Sequence, residues 1–324
     1  MADTLVAQRG ATVWTAGSVT EADWSVPLTG PWLDGLEAVR TRLAAAGVTV
    51  DRATPEQFRG PELAGLAEGV RAALDRGPGF AILRGWPVAR WGDADSVLMY
   101  WGLGTLLGDP LAQNSHGDRV YLVTDTTSWT GNGGRDTPTG PRGSTTNVEL
   151  SMHTDSAGAH AADRTGILGL LCLRAGASGG ESLLTSGHTV HNRLLARDSA
   201  LAASLYRQVH FGRGPGRYQD GGGTDVGAVF DAPGDRLKVR YNRGWIRRGH
   251  EAVNEPLPPE TIAALDAFDE LAGDDALMLR VRLEPGDVLL LDNTVVLHGR
   301  TAFVDNDDPA ARRCLVRLWL RSRT

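Results

Sequence analysis

The chain has 324 residues, of which 41% are hydrophobic and 22% charged, as in an ordinary folded protein with a sizeable core. Its net charge of −6 argues against a nucleic-acid partner, because proteins that bind nucleic acids usually carry a positive field. No apolar run approaches the ~20 residues that span a bilayer, so we expect no membrane partner. The N-terminus lacks the pattern of a secretory signal, and the two cysteines form no disulfide framework. Both features predict a cytoplasmic protein.

The first third of the chain predicts helices packed around one strand. Apolar residues recur at helical spacing over 35–47 and over 61–77, and each run ends on a glycine that can terminate a helix. The apolar segment 80–86 predicts a buried strand, and 93–107 predicts another helix.

The segment 124–146 interrupts this pattern. It is rich in Gly, Thr, Pro and Ser and has no periodicity. Long segments of this kind inside a compact domain are usually functional loops. We therefore predict an active-site lid here, directly before the most informative motif of the chain.

Strand patterns dominate the remainder. The apolar or alternating runs that predict strands include 166–176, 181–186, 277–293 and 312–323. Helical spacing interrupts them over 188–208 and 259–272. Several arginines between positions 240 and 248 indicate either a face for an anionic substrate or a solvated strand and loop. Many short strands between Gly and Pro turns favour a sandwich or barrel with helices outside.

A His-x-Asp pair is the first candidate for chemistry. His153 and Asp155 lie two residues apart, and on a strand such residues project to one face, where both can bind one metal ion. His298, at the end of a later apolar run, can supply a third ligand. Two imidazoles and one carboxylate leave open positions on Fe(II) for a co-substrate and O₂. Taken alone, however, a His-x-Asp pair is more often structural than metal-binding.

An arginine on the last predicted strand is the second candidate. Arg313 lies 15 residues after His298, and a buried arginine requires an anion, for which a carboxylate has matching geometry. The alternative partners are the nearby aspartates Asp305, Asp307 and Asp308. Ser182 follows a Gly-Gly turn and can add a hydrogen bond to the same carboxylate. Alone, that segment indicates only a hairpin.

Taken in order, these motifs resemble a known family. HTD at 153–155, GGES at 179–182, LHGR at 297–300 and RRCLVRLWL at 312–320 resemble the TauD/TfdA family of Fe(II)- and 2-oxoglutarate-dependent dioxygenases. The resemblance covers roughly residues 78–324. It implies a mainly β fold with packed helices around a double-stranded β-helix core, which is a jelly-roll, cupin-like architecture. We expect one domain over 1–324, in which 1–60 is an N-terminal extension whose role is not predicted.

The resemblance also implies roles for individual residues. His153, Asp155 and His298 match the metal ligands, with His298 expected across the barrel mouth from the other two. Arg313 and Ser182 match the residues that bind the far carboxylate of 2-oxoglutarate. Candidate substrate contacts, some from the resemblance and some from position, are Arg317, Asn147, Glu149, Gln113, Asn114 and Trp245. Because Asp155 retains the carboxylate ligand that related halogenases lack, halogenation is disfavoured.

The implied reaction is oxidation of an unactivated C–H bond of a small molecule, with O₂ consumed and 2-oxoglutarate converted to succinate and CO₂. We expect hydroxylation of an amino acid or a natural-product intermediate. Two other classes stay open. A metal-dependent hydrolase could use the same triad with Zn(II), without need of Arg313 or Ser182. A non-catalytic barrel could bind a small molecule. The sequence predicts no oligomeric state.

Overall fold

The computed structural model describes residues 5–126, 145–213, 222–232 and 236–323. Most of the predicted lid, 127–144, lies outside these ranges. Its two flanks are joined, because the backbone N–H of Thr126 donates to the carbonyl of Thr145 over 3.1 Å. Among the described residues, no helix is both long and apolar enough to span a bilayer.

Helices and strands are mixed along the described chain. The helices are α1 Glu21–Trp24, α2 Pro31–Ala45, α3 Pro61–Asp75, α4 Val88–Leu107, α5 Gly187–Arg197, α6 Ser199–Ser204, α7 Arg243–Val253 and α8 Pro259–Ala272. The first strands are β1 Ser25–Pro27, β2 Phe80–Arg84, β3 Gly108–Pro110, β4 Tyr121–Val123, β5 Leu150–His153, β6 Ile167–Arg174, β7 Ser178–Gly179 and β8 Ser182–Ser186. They are followed by β9 Val209–Gly212, β10 Thr224–Gly227, β11 Phe230–Asp231, β12 Lys238–Val239, β13 Leu279–Val281, β14 Val288–Asp292, β15 Val296–Arg300, β16 Phe303–Val304 and β17 Cys314–Ser322.

Two sheets organise these strands. The larger sheet has the order β1-β2-β14-β6-β17-β3, and β4 also pairs with β17. The smaller sheet has the order β13-β8-β15-β5, in which all neighbours are antiparallel. Three two-stranded pairs, β9 with β10, β11 with β12 and β7 with β16, complete the topology.

The alternation of side chains along the strands builds the core. In the larger sheet, Leu289 and Leu291 of β14 belong to a buried cluster that also contains Leu184 of β8 and Val296 of β15 from the smaller sheet. Leu290, between the two β14 leucines, points to the other face and joins a different cluster. Since successive side chains on a strand alternate, the two sheets face each other across one apolar layer.

Helices cover the outer face of each sheet. The cluster outside the larger sheet contains Val39 of α2, Val70 of α3 and Leu103 of α4. The cluster outside the smaller sheet contains Val190 of α5 and Phe268 of α8. The polar residues of the inner layer are therefore enclosed between two sheets and two helical layers.

Most predicted elements are present, with two instructive exceptions. The prediction over 259–272 coincides with α8, whereas the helix predicted over 188–208 breaks into α5 and α6. Asp198 causes the break, because its side chain accepts hydrogen bonds from the backbone N–H groups of Ala200 and Leu201 and so begins a new helix. The arginine-rich segment interpreted as strand and loop forms α7, which Asn242 caps through the N–H of Trp245.

The predicted N-terminal extension is built into the fold. Its strand β1 pairs in parallel with β2 at the edge of the larger sheet. Trp14 is buried in the inner cluster and donates from its indole N–H to the carbonyl of Pro78 over 2.7 Å. The hydroxyl of Thr12 bonds to Nδ1 of His188 in α5 over 2.8 Å. The N-terminal segment thus contacts the larger sheet, the apolar layer between the two sheets and helix α5.

Candidate active site

The predicted metal ligands come together at one end of the smaller sheet. His153 is the last residue of β5, Asp155 lies in the turn that follows, and His298 is in the middle of β15. The Nε2 atoms of His153 and His298 lie 3.5 and 3.9 Å from Oδ1 of Asp155. One ligand atom from each residue falls within 4.8 Å of the others, so the three can hold one metal ion.

The strand arrangement around these ligands differs from the expectation. His298 does not lie across a barrel mouth from His153, because β15 pairs directly with β5 and the two histidines are cross-strand neighbours. Their ring centroids are 4.3 Å apart. A directly opposed pair on one face of an antiparallel ladder places the two imidazoles side by side.

A strained turn brings Asp155 to the histidines. Ser156, directly after it, has φ of 53°, a left-handed conformation that is uncommon for residues other than glycine. Asn293 holds the turn, because its Oδ1 accepts from the N–H of Asp155 over 2.8 Å and its Nδ2 donates to the carbonyl of Asp155 over 3.0 Å. The same amide donates to the carbonyl of Thr165 over 2.9 Å. The reversal of the backbone is therefore fixed from a second segment, between β14 and β15.

Each of the two imidazoles can present a nitrogen lone pair to a metal ion. Nδ1 of His153 lies 2.8 Å from the carbonyl of Ser151, so it carries the proton and leaves the Nε2 lone pair available. Burial, together with the nearby His153, lowers the pKa of His298 to about 3. His298 is therefore neutral at physiological pH.

The second oxygen of Asp155 is held by the larger sheet. Its Oδ2 accepts from the indole N–H of Trp319 over 2.7 Å and lies 3.3 Å from Nη1 of Arg317. Burial would raise the pKa of this carboxyl. The charge of Arg317 outweighs burial and holds the pKa well below its usual range. Asp155 remains ionised with Oδ1 directed at the histidines.

Gln113 is buried behind this arrangement. Its Oε1 accepts from Nε of Arg317 over 2.8 Å, and its Nε2 donates to the carbonyls of Arg317 and Arg119 over 2.8 and 3.0 Å. Gln113 thereby fixes the guanidinium that contacts Asp155. Two predicted substrate residues, Arg317 and Gln113, thus support the aspartate, and their contact with a substrate stays a prediction.

Arg313 is a buried cation whose side chain forms no ion pair with a carboxylate in the described part of the chain. It is 4% exposed, and its Nη1 has no hydrogen-bond partner among the described residues. Its guanidinium carbon lies 4.9 Å from the ring centroid of Phe303. Asp305 accepts from the backbone N–H of Arg313 over 2.6 Å, so its contact is with the main chain. Burial lowers the pKa of Arg313 and makes its charge costly unless an anion binds beside it.

A second buried arginine, Arg300, lies beside the first and was missed by sequence reasoning. It is 5% exposed, and its guanidinium carbon lies 4.8 Å from the centroid of the same Phe303 ring. Burial and the charge of Arg313 lower its pKa to about 10, against the opposite effect of Asp125. Ser182, which is also buried, is directly opposite Arg300 in the pairing of β8 with β15. The sequence signal that could have identified Arg300 is its position two residues after His298, because residues two apart on a strand point to the same face.

Comparison with known proteins gives the family. The family model described as "Taurine catabolism dioxygenase TauD, TfdA family" matches residues 48–319. The chain belongs to the TauD/TfdA family. FR-33289 synthase of Streptomyces rubellomurinus is 33% identical over 327 residues, which cover 96% of this chain and 89% of that protein. The protein is an Fe(II)- and 2-oxoglutarate-dependent dioxygenase, the enzyme class that its motifs predict.

Solved structures share the fold of this TauD/TfdA protein. An asparagine oxygenase in complex with Fe(II), 2S,3S-3-hydroxyasparagine and succinate is similar with a TM-score of 0.71 and 23% identity, covering 92% of this chain and 93% of that one. The non-heme iron oxygenase OrfP, in complex with Fe, succinate and (3S)-hydroxy-L-Arg, has a TM-score of 0.66 and 20% identity, with 92% and 94% covered.

The remaining predicted substrate residues occupy different surroundings. Asn147 and Glu149 are exposed on the segment that leads into β5. Asn114 uses its side chain within its own turn, where Nδ2 donates to Asp118 over 2.7 Å. Trp245 on α7 packs against the apolar cluster outside the smaller sheet.

Proposed function

We propose that His153, Asp155 and His298 bind the Fe(II) of this dioxygenase and that Arg313 and Ser182 bind the far carboxylate of 2-oxoglutarate. The observation that carries the proposal is the convergence of two imidazoles and one carboxylate, whose ligand atoms all lie within 4.8 Å of one another. Nitrogen and carboxylate donors in this ratio suit Fe(II) and leave positions open for other ligands. Bound iron, with 2-oxoglutarate and O₂, supplies the oxidising power that cleaves an unactivated C–H bond.

The protein's own residues do the positioning. Arg317 and Trp319 fix one carboxylate oxygen of Asp155, so that the other stays directed at the histidines. The Arg313 guanidinium can donate two parallel hydrogen bonds to a carboxylate, which would satisfy its buried Nη1 and compensate its charge. Ser182 adds a hydroxyl donor from the facing sheet.

We propose that the core is a distorted double-stranded β-helix within a single domain over 1–324. Support comes from the two facing sheets, which share one apolar layer, and from the antiparallel order of the smaller sheet. The packing of residues 5–30 against both sheets argues that the N-terminal segment belongs to the same domain. We propose that 124–146 acts as a lid, since its described flanks adjoin the segment that carries Asn147.

The proposed substrate is an amino acid or a natural-product intermediate, and the proposed outcome is hydroxylation. Support comes from the names of similar proteins, which include an asparagine oxygenase, an arginine-binding oxygenase and a synthase from a streptomycete. Asn147 and Glu149, two of the predicted substrate contacts, are exposed beside β5. Arg317, another predicted substrate contact, forms an ion pair with Asp155.

An anaerobic titration tests the proposal. Apoprotein is mixed with Fe(II) and then 2-oxoglutarate, and the visible spectrum is compared among native protein, Asp155→Ala, Arg313→Ala and a control, Arg280→Ala. The control removes an exposed arginine of the smaller sheet that pairs with Asp275. We expect a weak band near ~500 nm that is lost in the first two variants and unchanged in the control.

The other outcomes separate the alternatives. Bound metal without the band in native protein would contradict the 2-oxoglutarate site and favour the hydrolase. No bound metal in native protein would contradict the triad and favour a binding barrel.

A further inference from the structure

Arg300 connects two parts of the site that are separate in sequence. It follows His298 by two residues on β15, so both side chains point to the same face of the smaller sheet. Its cross-strand partners are Ser182 on one side and Leu150 on the other. The Cβ atoms of directly opposed residues lie about 4.5–5.5 Å apart, which places Arg300 beside the proposed 2-oxoglutarate subsite.

One amino group of Arg300 holds the segment before β5. Its Nη2 donates to the carbonyl of Thr146 over 2.7 Å and to that of Val148 over 2.5 Å. The intervening carbonyl, that of Asn147, accepts from the backbone N–H of Phe303 over 3.0 Å. Three successive carbonyls are thus fixed from the chain that follows His298, and they set where the exposed side chains of Asn147 and Glu149 project.

The other side of the same guanidinium lies towards Arg313. The guanidinium carbons of Arg300 and Arg313 lie 4.8 and 4.9 Å from the centroid of Phe303. Nε of Arg300 and Nη1 of Arg313 are both buried without a hydrogen-bond partner in the described part of the chain. Two adjacent buried cations repel each other, and an anion bound between the sheets relieves the repulsion for both.

We propose that Arg300 is a positioning residue that couples occupancy of the 2-oxoglutarate subsite to the placement of the Thr146–Val148 segment. When the co-substrate carboxylate binds, its charge steadies the guanidinium, and the Nη2 bonds hold the segment that carries Asn147. The inference rests on the proposed function, since it requires that Arg313 and Ser182 bind 2-oxoglutarate.

Hydrogen exchange of the 145–150 backbone tests this coupling, with the anaerobic iron–2-oxoglutarate band as the measure of binding. In the Fe(II)-loaded native protein, we expect 2-oxoglutarate to slow exchange in 145–150. Arg300→Gln should bind Fe(II) normally, bind 2-oxoglutarate about tenfold more weakly and lose the slowing even at saturation. Arg300→Lys keeps the charge but lacks the fork, so its affinity should fall less while the slowing is still lost. Arg280→Gln is the matched control and should resemble the native protein.

The results distinguish failure of the Arg300 coupling from failure of the proposed 2-oxoglutarate site. A band in native protein with exchange in 145–150 unchanged by 2-oxoglutarate overturns the inference alone, and this comparison does not depend on the folding of any variant. Native slowing that persists in both Arg300 variants also overturns it, because a purely structural arginine would alter exchange equally with and without the co-substrate. Absence of the band in native protein overturns the proposed function and this inference together.

Discussion

The two ends of the proposed site differ in how their charges are compensated. At the metal end, Oδ2 of Asp155 is held by Arg317 and Trp319. Its Oδ1 faces the two histidines. At the other end, Arg313 and Arg300 are buried together and retain polar atoms without partners among the described residues. The first end is organised by protein contacts, whereas the second has buried donors that a bound carboxylate could satisfy.

The largest effect is expected at the metal end. His298→Ala removes one of three proposed ligands, so Fe(II) binding and 2-oxoglutarate turnover should both be lost. Measurement of bound iron after gel filtration checks this, with the exposed His116→Ala as control. A variant that retains iron and turnover would show that the metal lies elsewhere.

Arg313→Gln should remove the cation that binds the carboxylate in the proposed 2-oxoglutarate subsite. In native protein, 2-oxoglutarate at about 100 times its Kd stabilises the fold by about 2.7 kcal/mol, which thermal unfolding with and without the ligand detects. In Arg313→Gln the stabilisation should vanish, although the ligand-free variant should not unfold earlier, because a costly buried cation is gone. An equal ligand-induced shift in both proteins would contradict the proposed anion subsite.

Gln113→Leu should weaken the support of Asp155 without touching a ligand. Losing the bond to Nε of Arg317 frees that guanidinium, and substitutions of residues that hold a metal ligand cost roughly 10–100-fold in metal affinity. An Fe(II) competition titration measures the loss. Asn114→Ala, one residue away but bonded only within its own turn in the contacts described, should leave the affinity unchanged. Equal losses in the two variants would indicate general unfolding of this loop.

The smallest effect is expected at Ser182. Ser182→Ala removes one hydroxyl donor, worth about 1 kcal/mol, so the KM for 2-oxoglutarate should rise about fivefold with little change in kcat. Ser182→Thr keeps the hydroxyl and should restore the native KM. If the alanine variant changes kcat alone, the hydroxyl does not act on the co-substrate.

Sequence patterns predicted the frame of the site better than its details. The alternation predicted that Arg317 and Trp319 share one face, and on β17 both contact Oδ2 of Asp155, because a long strand obeys a period of two. Arg313 directly precedes that strand. The same period could not describe His153 and Asp155, since the strand ends between them at a turn held by Asn293 from far along the chain. Hydrogen bonds between residues so far apart in the sequence leave no pattern in the local sequence around Asp155.

Two other features escaped prediction for related reasons. Arg300 resembled an ordinary basic residue after a strand, and only its pairing opposite Ser182 reveals its place between the sheets. The helix α7 was obscured by its many arginines, although Asn242 provides a good cap in retrospect. The mixture of helices and sheets and the order of the motifs needed no such distant contacts.

The cross-strand pairing of His153 with His298 also has a consequence for the order of folding. The two residues are adjacent in the sheet but come from strands β5 and β15, which are widely separated along the chain. A slip of one residue in that pairing would turn one imidazole to the outer face. At the proposed iron site, the three ligands therefore come together only after β15 has paired with β5 in its final register.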